Sequence, residues 1–316
     1  MKKRFHFYII GGVLLICLIL GSFFDLQINQ FLFDRTNVFG LIVSSFGMIP
    51  GYGCLSLLGG ALYIIARKRL DFKVWLKVIL YISAFAMYGV SVYFLGKDVF
   101  SVNGFENPKI YWVGFLIMGI IMLAVFNFGC HVGKMNENPQ MWIIILVMAA
   151  VIFVALVPGV TLFKSLMHRP RYRIAIYEGY VNFHNWWEPC KDYKDIIAVN
   201  PSLLSKEEFK SFPSGHAGAS MVGLITLSYL PLLNKKWMKY QTLLFYIAFG
   251  WALVVMFSRL LVGAHFLSDV SVGALLTVVC FYIGNEIVVR KLLPENEALQ
   301  EKNEEIEEKA EDEIEE

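Results

Sequence analysis

The sequence predicts an all-α protein, a polytopic transmembrane helical bundle of about eight spans. Hydrophobic residues make up 57% of the 316 residues, charged residues only 17%, and the mean hydropathy is +0.57. These values are too apolar for an ordinary soluble domain, so the bilayer is the expected solvent. A helix needs about 20 mostly apolar residues to cross the hydrocarbon core. The stretches that meet this requirement are roughly 7–24, 38–66, 78–96, 111–131, 141–163, 214–233, 240–257 and 266–289.

Two of these stretches are unusual. The first has a basic start and an apolar middle like a signal peptide, but residues 21–24 provide no small-x-small cleavage site, which favours an uncleaved first span. The second is long and contains Pro50-Gly51, so it is either one span or a short interfacial segment followed by a span. Both interpretations leave the parity of the spans unchanged.

The positions of Lys and Arg predict the orientation of the bundle. Three basic clusters fall on one side of the eight-span arrangement: Lys2, Lys3 and Arg4; Arg67, Lys68, Arg69, Lys73 and Lys77; and Lys235, Lys236 and Lys239. That side is expected to be cytoplasmic and to hold both termini. The segments 25–37, 97–109, 164–213 and 258–265 then face outward, and we expect a multi-pass protein of the plasma membrane with an extracytoplasmic active site.

The chain is expected to divide into three parts. Residues 1–140 carry the N-terminal spans, residues 141–290 form a catalytic membrane domain with an extracytoplasmic loop at 164–213, and residues 291–316 form an acidic cytoplasmic tail. The tail is dominated by glutamate, a composition typical of solvated helix or disorder. Of the five cysteines, only Cys190 lies outside the apolar spans, so a disulfide framework is not expected.

Candidate functional residues occur in three blocks at the ends of later spans. In the third block, Arg259 is followed by His265 and then, four residues later, by Asp269; on a helix the last two share one face. Asp269 is then expected to accept the Nδ1 proton of His265 and to leave Nε2 as a nucleophile or base. The alternative is a polar pair that joins two helices. An ionisable pair at a span end is, however, a functional candidate.

The second block is Pro213-Ser214-Gly215-His216, directly before an apolar helix. The proline and glycine favour a tight turn, which places the Ser214 hydroxyl and nearby backbone N–H groups at a helix N-terminus, where anions bind. His216 is a candidate general acid. The alternative is a helix cap with no further role, because short motifs of this kind often occur by chance.

The first block begins at Lys164, where the fifth span ends. Lys and Arg at a membrane edge are often only snorkelling anchors. Here Lys164 and Arg171 are expected to converge with Arg259 on one phosphate, the arginines with bidentate geometry and the lysine as a point charge. Arg169 and His168 are further cations without an assigned role.

The three blocks resemble those of the type 2 phosphatidic acid phosphatase (PAP2) and vanadium haloperoxidase superfamily. The family pattern is Lys, six residues, Arg-Pro; then Pro-Ser-Gly-His; then Ser-Arg, five residues, His, three residues, Asp. Blocks two and three match in full, whereas the first block has Tyr172 in place of the family proline. A register based on Arg169-Pro170 shortens the spacing to four, so Arg171 is preferred. The resemblance covers roughly residues 141–290 and implies a six-helix core with two additional spans.

The resemblance implies an integral-membrane lipid phosphatase. His265 would attack phosphorus to form a phosphohistidine, Asp269 would orient it, and His216 would protonate the leaving alkoxide before water hydrolyses the intermediate. The phosphate oxygens would be held by the remaining site residues: Lys164, Arg171, Ser214, the Gly215 N–H and Arg259. No cofactor is implied, and the sequence has no metal-binding motif such as His-Glu-x-x-His.

The expected partner is a membrane lipid phosphate or diphosphate, such as undecaprenyl pyrophosphate, phosphatidic acid, phosphatidylglycerol phosphate or a lipid A phosphate; no nucleic-acid partner is expected. Other functions remain open. A phosphotransferase would use the same phosphohistidine with a lipid or sugar hydroxyl in place of water. A non-catalytic transporter or scaffold would also place polar residues inside spans, but it leaves the spacings unexplained. Haloperoxidases of this superfamily are soluble, and a serine protease based on Ser214 gives no role to three cations.

Overall fold

The computed structural model describes residues 4–101, 108–135, 159–175, 181–202, 204–229, 231 and 235–287. About 81% of the structure is helical and the described residues contain no strand, which confirms the predicted all-α class. The α-helices are, in chain order, α1 (Phe5–Leu32), α2 (Val38–Phe46), α3 (Ile49–Lys68), α4 (Val74–Ser101), α5 (Pro108–Met135), α6 (Thr161–Met167), α7 (Tyr172–Ala175), α8 (Tyr193–Val199), α9 (Gly215–Tyr229), α10 (Gln241–Leu261) and α11 (Leu267–Ile287). Short 3₁₀ helices lie at Lys206–Phe209 and Lys235–Tyr240.

Among the described residues, six segments are long and apolar enough to cross a membrane: Phe5–Leu32, Val38–Lys68, Val74–Lys97, Trp112–Lys134, Trp237–Leu261 and Leu267–Ile287. They correspond to six of the eight predicted spans, so the protein is a multi-pass membrane protein. The fifth predicted span lies outside the described residues as far as residue 158, and so does the acidic tail. The sixth corresponds to α9, of which the structure describes 15 residues, Gly215–Tyr229.

The long second stretch consists of two helices. α2 ends at Phe46 and α3 begins at Ile49, so the helix is interrupted just before Pro50, which lies in the first turn of α3. Proline is tolerated there because the first N–H groups of a helix have no intrahelical acceptor. Asn37 caps α2, since its Oδ1 accepts a hydrogen bond from Gly40 N at 2.8 Å. The stretch is therefore a short capped helix followed by a long one.

The first helix extends beyond its predicted end. The sequence predicts a span that ends at residue 24, whereas α1 continues to Leu32. Asp25 and Asn29 give this part of the sequence the polarity of a loop, but both side chains are buried and bind the region around the start of α11. The predicted boundary is wrong because tertiary partners, not water, satisfy these polar groups.

α9 lies at the centre of the bundle. It packs against α3, α10 and α11, and most of its residues are buried. α1 packs along α11 and α2 along α10, while α3, α4 and α5 pack against one another. Gly51 allows the close approach of α3 to α9, because a Cβ at this position would lie 2.8 Å from the Ala219 carbonyl oxygen. The second block, at the start of α9, is therefore held in the protein interior.

The two ends of α1 contact different parts of α11 and its surroundings. At one end, Arg4 donates two hydrogen bonds to Glu286, at 2.9 and 2.7 Å, which ties the start of α1 to the end of α11. At the other end, Asp25 binds the first turn of α11. The helix rises roughly 30 Å between Arg4 and Asp25, about the thickness of the hydrocarbon core. The three blocks therefore lie at the opposite end of the bundle from Arg4.

Candidate active site

The third block surrounds the turn between α10 and α11. Arg259 lies in the last turn of α10, and its carbonyl oxygen accepts hydrogen bonds from Ala264 N at 3.1 Å and His265 N at 3.3 Å. Gly263 forms the turn with a φ of +61°, a left-handed conformation that favours glycine. A Cβ there would also lie 2.6 Å from the ring of Phe33. The turn therefore fixes Arg259 and His265, both buried, in one place.

The ring of His265 is oriented by a backbone carbonyl group. Its Nδ1 lies 2.7 Å from the Ser211 carbonyl oxygen. Because that oxygen can only accept, Nδ1 carries the proton and Nε2 carries the lone pair. Burial, followed by the charges of Arg259 and Arg171, lowers the pKa of His265 well below its ordinary value, although Asp269 acts in the opposite direction. The imidazole is therefore neutral near pH 7 and presents Nε2 for reaction.

Asp269 is close to His265 but is not its direct hydrogen-bond partner. His265 Nδ1 and Asp269 Oδ2 are 3.8 Å apart, which is beyond hydrogen-bond distance. Oδ2 instead accepts from the Ser211 hydroxyl at 2.5 Å and from Phe266 N at 2.9 Å. Oδ1 accepts from Arg169 Nη1 at 2.6 Å. His265 and Asp269 therefore lie close together as predicted, but Nδ1 donates its hydrogen bond to the Ser211 carbonyl oxygen and not to Asp269.

The second block forms the expected helix N-terminus. Ser214 precedes α9, and its hydroxyl accepts a hydrogen bond from Ala217 N at 3.4 Å, which makes it the N-cap. Ser214 N donates to the Asp269 carbonyl oxygen at 3.0 Å. Gly273 of α11 permits this approach, because a Cβ there would lie only 2.2 Å from the Ser214 carbonyl oxygen. His216, in the first turn of α9, is 8% exposed. The second block therefore packs directly against the third.

Lys164, in α6, brings the first block to the same region. A Cβ placed on Gly215 would lie 3.8 Å from Lys164 Nζ. Burial, followed by the neighbouring charges of Arg171 and Arg259, lowers the pKa of Lys164 to about 8. The same two arginines lower the pKa of His265. Three cations therefore converge near one neutral histidine, an arrangement suited to binding an anion.

Arg169 has partners that the sequence does not reveal. Its side chain is fully buried. Its hydrogen bonds run from Nε to the His184 carbonyl oxygen (2.8 Å), from Nη1 to Ser268 Oγ (2.8 Å) and Asp269 Oδ1 (2.6 Å), and from Nη2 to Asp25 Oδ2 (2.9 Å). The guanidinium carbon also lies 4.2 Å from the centre of the Phe266 ring. Because Arg169 binds two carboxylates, the register that uses Arg171 for the phosphate is favoured.

The loop between α7 and α9 packs against the three blocks. Trp186 stacks on Phe212 with ring centres 5.6 Å apart, and its Nε1 donates to Ser22 Oγ of α1 at 2.9 Å. His168 stacks on Tyr193 at 3.9 Å, in the small hydrophobic core of the loop. Trp186 and Tyr193 thus pack within the protein, and His168 lies beside Tyr193.

The structure brings the predicted site residues together from three separate segments. Two further backbone hydrogen bonds join the segments, from Ser211 N to the Arg169 carbonyl oxygen at 3.0 Å and from Arg173 N to the Gly263 carbonyl oxygen at 2.9 Å. Polar residues that bind these segments but that the sequence interpretation does not name are Asp25, Asn29 and Ser211, and Arg169 is named there only as a cation without an assigned role. A signal for Asp25 is present, because an ionisable residue next to an apolar span is a functional candidate.

A group of possible metal ligands lies next to Arg169, which donates to the His184 carbonyl oxygen. Within the described part of the chain, His184, Cys190 and Asp192 place one ligand atom each within 4.8 Å of one another. The Cys190 thiol donates to Asp192 Oδ1 at 3.4 Å, and burial raises the pKa of Cys190 to about 12. The thiol is therefore accommodated in its protonated form, and the group contains none of the predicted site residues.

Comparison with known proteins finds one family model, whose match includes all three blocks. Residues 140–292 match the family model described as the PAP2 superfamily, and all three blocks fall inside this range. No curated protein and no solved structure matches the chain.

Proposed function

We propose that this chain, which belongs to the PAP2 superfamily through residues 140–292, is a membrane phosphatase that hydrolyses a lipid phosphate monoester or diphosphate by way of a phosphohistidine. Family membership supports a phosphatase-like activity, and the apolar helices support a substrate presented by the bilayer. The observation that carries the proposed chemistry is a buried, neutral His265 beside three converging cations.

His265 is the proposed nucleophile. Nδ1 is committed to the Ser211 carbonyl oxygen, so the lone pair on Nε2 attacks phosphorus. A bond forms between Nε2 and phosphorus, and the bond from phosphorus to the leaving oxygen breaks, which is the lipid oxygen of a monoester or the bridging oxygen of a diphosphate. The leaving oxygen takes a proton from the protonated form of His216. His216 then takes a proton from water, the resulting hydroxide attacks phosphorus, and the phosphorus–nitrogen bond breaks. Inorganic phosphate leaves and His265 is restored.

Lys164, Arg171 and Arg259 are proposed to hold the phosphoryl oxygens. Their charges repel one another, which adds to the effect of burial in lowering the pKa of Lys164. A dianionic phosphate relieves this repulsion and keeps Lys164 protonated. Ser214 and the Gly215 N–H, at the start of α9, add hydrogen-bond donors where the helix dipole also favours an anion. Positioning and electrostatics thus supply most of the catalysis.

Asp269 is proposed to stabilise the positive charge that His265 acquires when it is phosphorylated. The carboxylate lies 3.8 Å from Nδ1. At about 4 Å two opposite charges attract by on the order of 4 kcal/mol at an effective dielectric constant of about 20. Asp269 therefore acts through its charge, while the Ser211 carbonyl oxygen orients the ring.

The outer face of the plasma membrane is the proposed location of the reaction. The basic clusters predict cytoplasmic ends, and the site lies at the opposite end of α1 from Arg4. The proposed substrates are undecaprenyl pyrophosphate, phosphatidic acid, phosphatidylglycerol phosphate and lipid A phosphates. No metal or cofactor takes part in the proposed steps.

The test is phosphate release by the purified full-length protein in detergent with EDTA, using these lipids. His265→Ala is the inactive variant, and His131→Ala is its matched control because His131 is exposed on α5, away from the three blocks. We expect release that survives EDTA, is lost in His265→Ala and is kept in His131→Ala. Radiolabelled substrate should also leave an acid-labile, alkali-stable label on the parent protein but not on His265→Ala.

Each contrary result points to a specific alternative. Transfer of phosphate to an added lipid or sugar hydroxyl, without release to water, would indicate a phosphotransferase. No release from any lipid by a folded protein would favour a non-catalytic membrane protein. Release that EDTA abolishes would contradict the metal-independent steps.

A further inference from the structure

We infer that Asp25 of α1 is a positioning residue for catalysis, which acts on Asp269 through Arg169. The inference rests on the proposed function. α1 lies outside the family-matched segment 140–292, so this residue is not part of the three blocks. The first helix would then complete a site whose other residues all come from the second half of the chain.

One face of α1 fits the start of α11. Asp25 is 3% exposed; its Oδ1 accepts from Ser268 N at 3.0 Å, and its Oδ2 accepts from Arg169 Nη2 at 2.9 Å and from the Ser268 hydroxyl. One turn later, Asn29 Nδ2 donates to the His265 carbonyl oxygen at 3.1 Å. One turn earlier, a Cβ on Gly21 would lie 2.6 Å from Ser268 N. Positions 21, 25 and 29 share one helix face, and all three contact the segment that carries His265 and Asp269.

The charges in this network explain why Asp25 matters for chemistry. Arg169 lies between two carboxylates, with Asp25 on Nη2 and Asp269 on Nη1, and all three side chains are almost completely buried. Two anions and one cation leave one net negative charge on this network of three side chains. Without the charge of Asp25, Arg169 and Asp269 would neutralise each other, and Asp269 would stabilise the phosphorylated, cationic His265 less well. Asp25 therefore keeps the charge of Asp269 effective and holds the guanidinium in place.

The substitution Asp25→Asn removes this charge and keeps the size of the side chain. We expect kcat for phosphate release to fall about 10- to 100-fold, by analogy with the loss seen when groups that orient metal ligands are removed, while KM changes by less than about twofold because the phosphate-holding cations are untouched. In an Asp269→Asn background, Asp25→Asn should cause little further loss, because its effect passes through Asp269. A purely structural role of Asp25 would instead lower kcat by the same factor in both backgrounds.

The matched control is Asp34→Asn, the same chemical change just beyond the end of α1. The Asp34 carboxylate is exposed and accepts hydrogen bonds from Thr36, and none of the three blocks contains it, so this variant should keep the parental kcat and KM. If Asp25→Asn gives no folded protein, Asp25→Glu replaces it in the same comparison of the parent and Asp269→Asn backgrounds. Glutamate keeps the charge but displaces the carboxylate by one methylene, and a displacement of about 1 Å can cost up to roughly 100-fold in rate.

The outcomes separate the two proposals. A folded Asp25 variant with parental kcat, or one with equal losses in both backgrounds, overturns the positioning role while parental phosphate release still supports the proposed function. Absence of release by the parent protein overturns the proposed function, and the positioning role fails with it.

Discussion

Removal of the Arg169 guanidinium should destabilise the whole protein. Arg169→Met keeps the length of the side chain but deletes four hydrogen bonds, to Asp25, His184, Ser268 and Asp269. It also leaves two fully buried carboxylates without their counter-charge. Breaking a buried ion pair costs about 3–5 kcal/mol, a large part of the roughly 5–15 kcal/mol that keeps a typical domain folded. We therefore expect the melting temperature to fall by about 6–20 °C.

The assay is thermal unfolding in detergent, followed by tryptophan fluorescence, together with the KM for phosphate release. Arg69→Met is the matched control. The Arg69 guanidinium likewise donates two hydrogen bonds to carboxylate oxygens, both of Asp71, but this ion pair is exposed, so no resolvable change in melting temperature is expected. An Arg169→Met variant that melts like the parent but has a strongly raised KM would refute this reasoning. It would show that Arg169 faces the phosphate, as in the register with the shorter spacing.

Two further predictions concern the anion site. Lys164, with a pKa of about 8, is cationic below that pH and neutral above it, so kcat/KM should fall as the pH rises past about 8. Lys164→Arg should abolish that fall, because arginine stays protonated; a fall that persists would belong to another group. Gly273→Ala would place a Cβ 2.2 Å from the Ser214 carbonyl oxygen and should lower stability by about 1–3 kcal/mol and also lower kcat/KM. Gly250→Ala, with open space around the new Cβ, should change neither; equal behaviour of the two variants would contradict the close contact.

Local patterns in the sequence predict much of the fold and the site. Apolar stretches of sufficient length identify six segments that the structure shows to be helical and apolar enough to cross a membrane. The turn before α9 follows from Pro213 and Gly215, and the spacing of His265 and Asp269 places them within one helical turn of each other. These features depend on residues that are near one another in sequence, which is why pattern analysis finds them.

The remaining features depend on tertiary contacts. Arg169 and Arg171 are two residues apart and chemically identical, and only the packing of α1 and α11 determines that Arg169 binds the two carboxylates. The acceptor for His265 Nδ1 is a backbone carbonyl oxygen, which every residue possesses and no sequence pattern marks. Asp25 gives α1 the appearance of ending early, because a polar residue satisfied by a distant partner has the same sequence signature as one satisfied by water.

The bonds of Asp25 also have a consequence for biogenesis. They join residues 144 positions apart at Arg169 and 243 apart at Ser268. Ribosomes add about 5–20 residues per second, so Asp25 is synthesised roughly 7–30 s before Arg169. During this interval α1 is apolar enough to enter the bilayer, yet its carboxylate has none of its native partners, and an aspartate at the centre of a span costs about 2.5–3.5 kcal/mol. The position of Asp25 toward the end of α1 lessens this cost, and the nascent first helix holds an unneutralised acid until translation reaches Arg169.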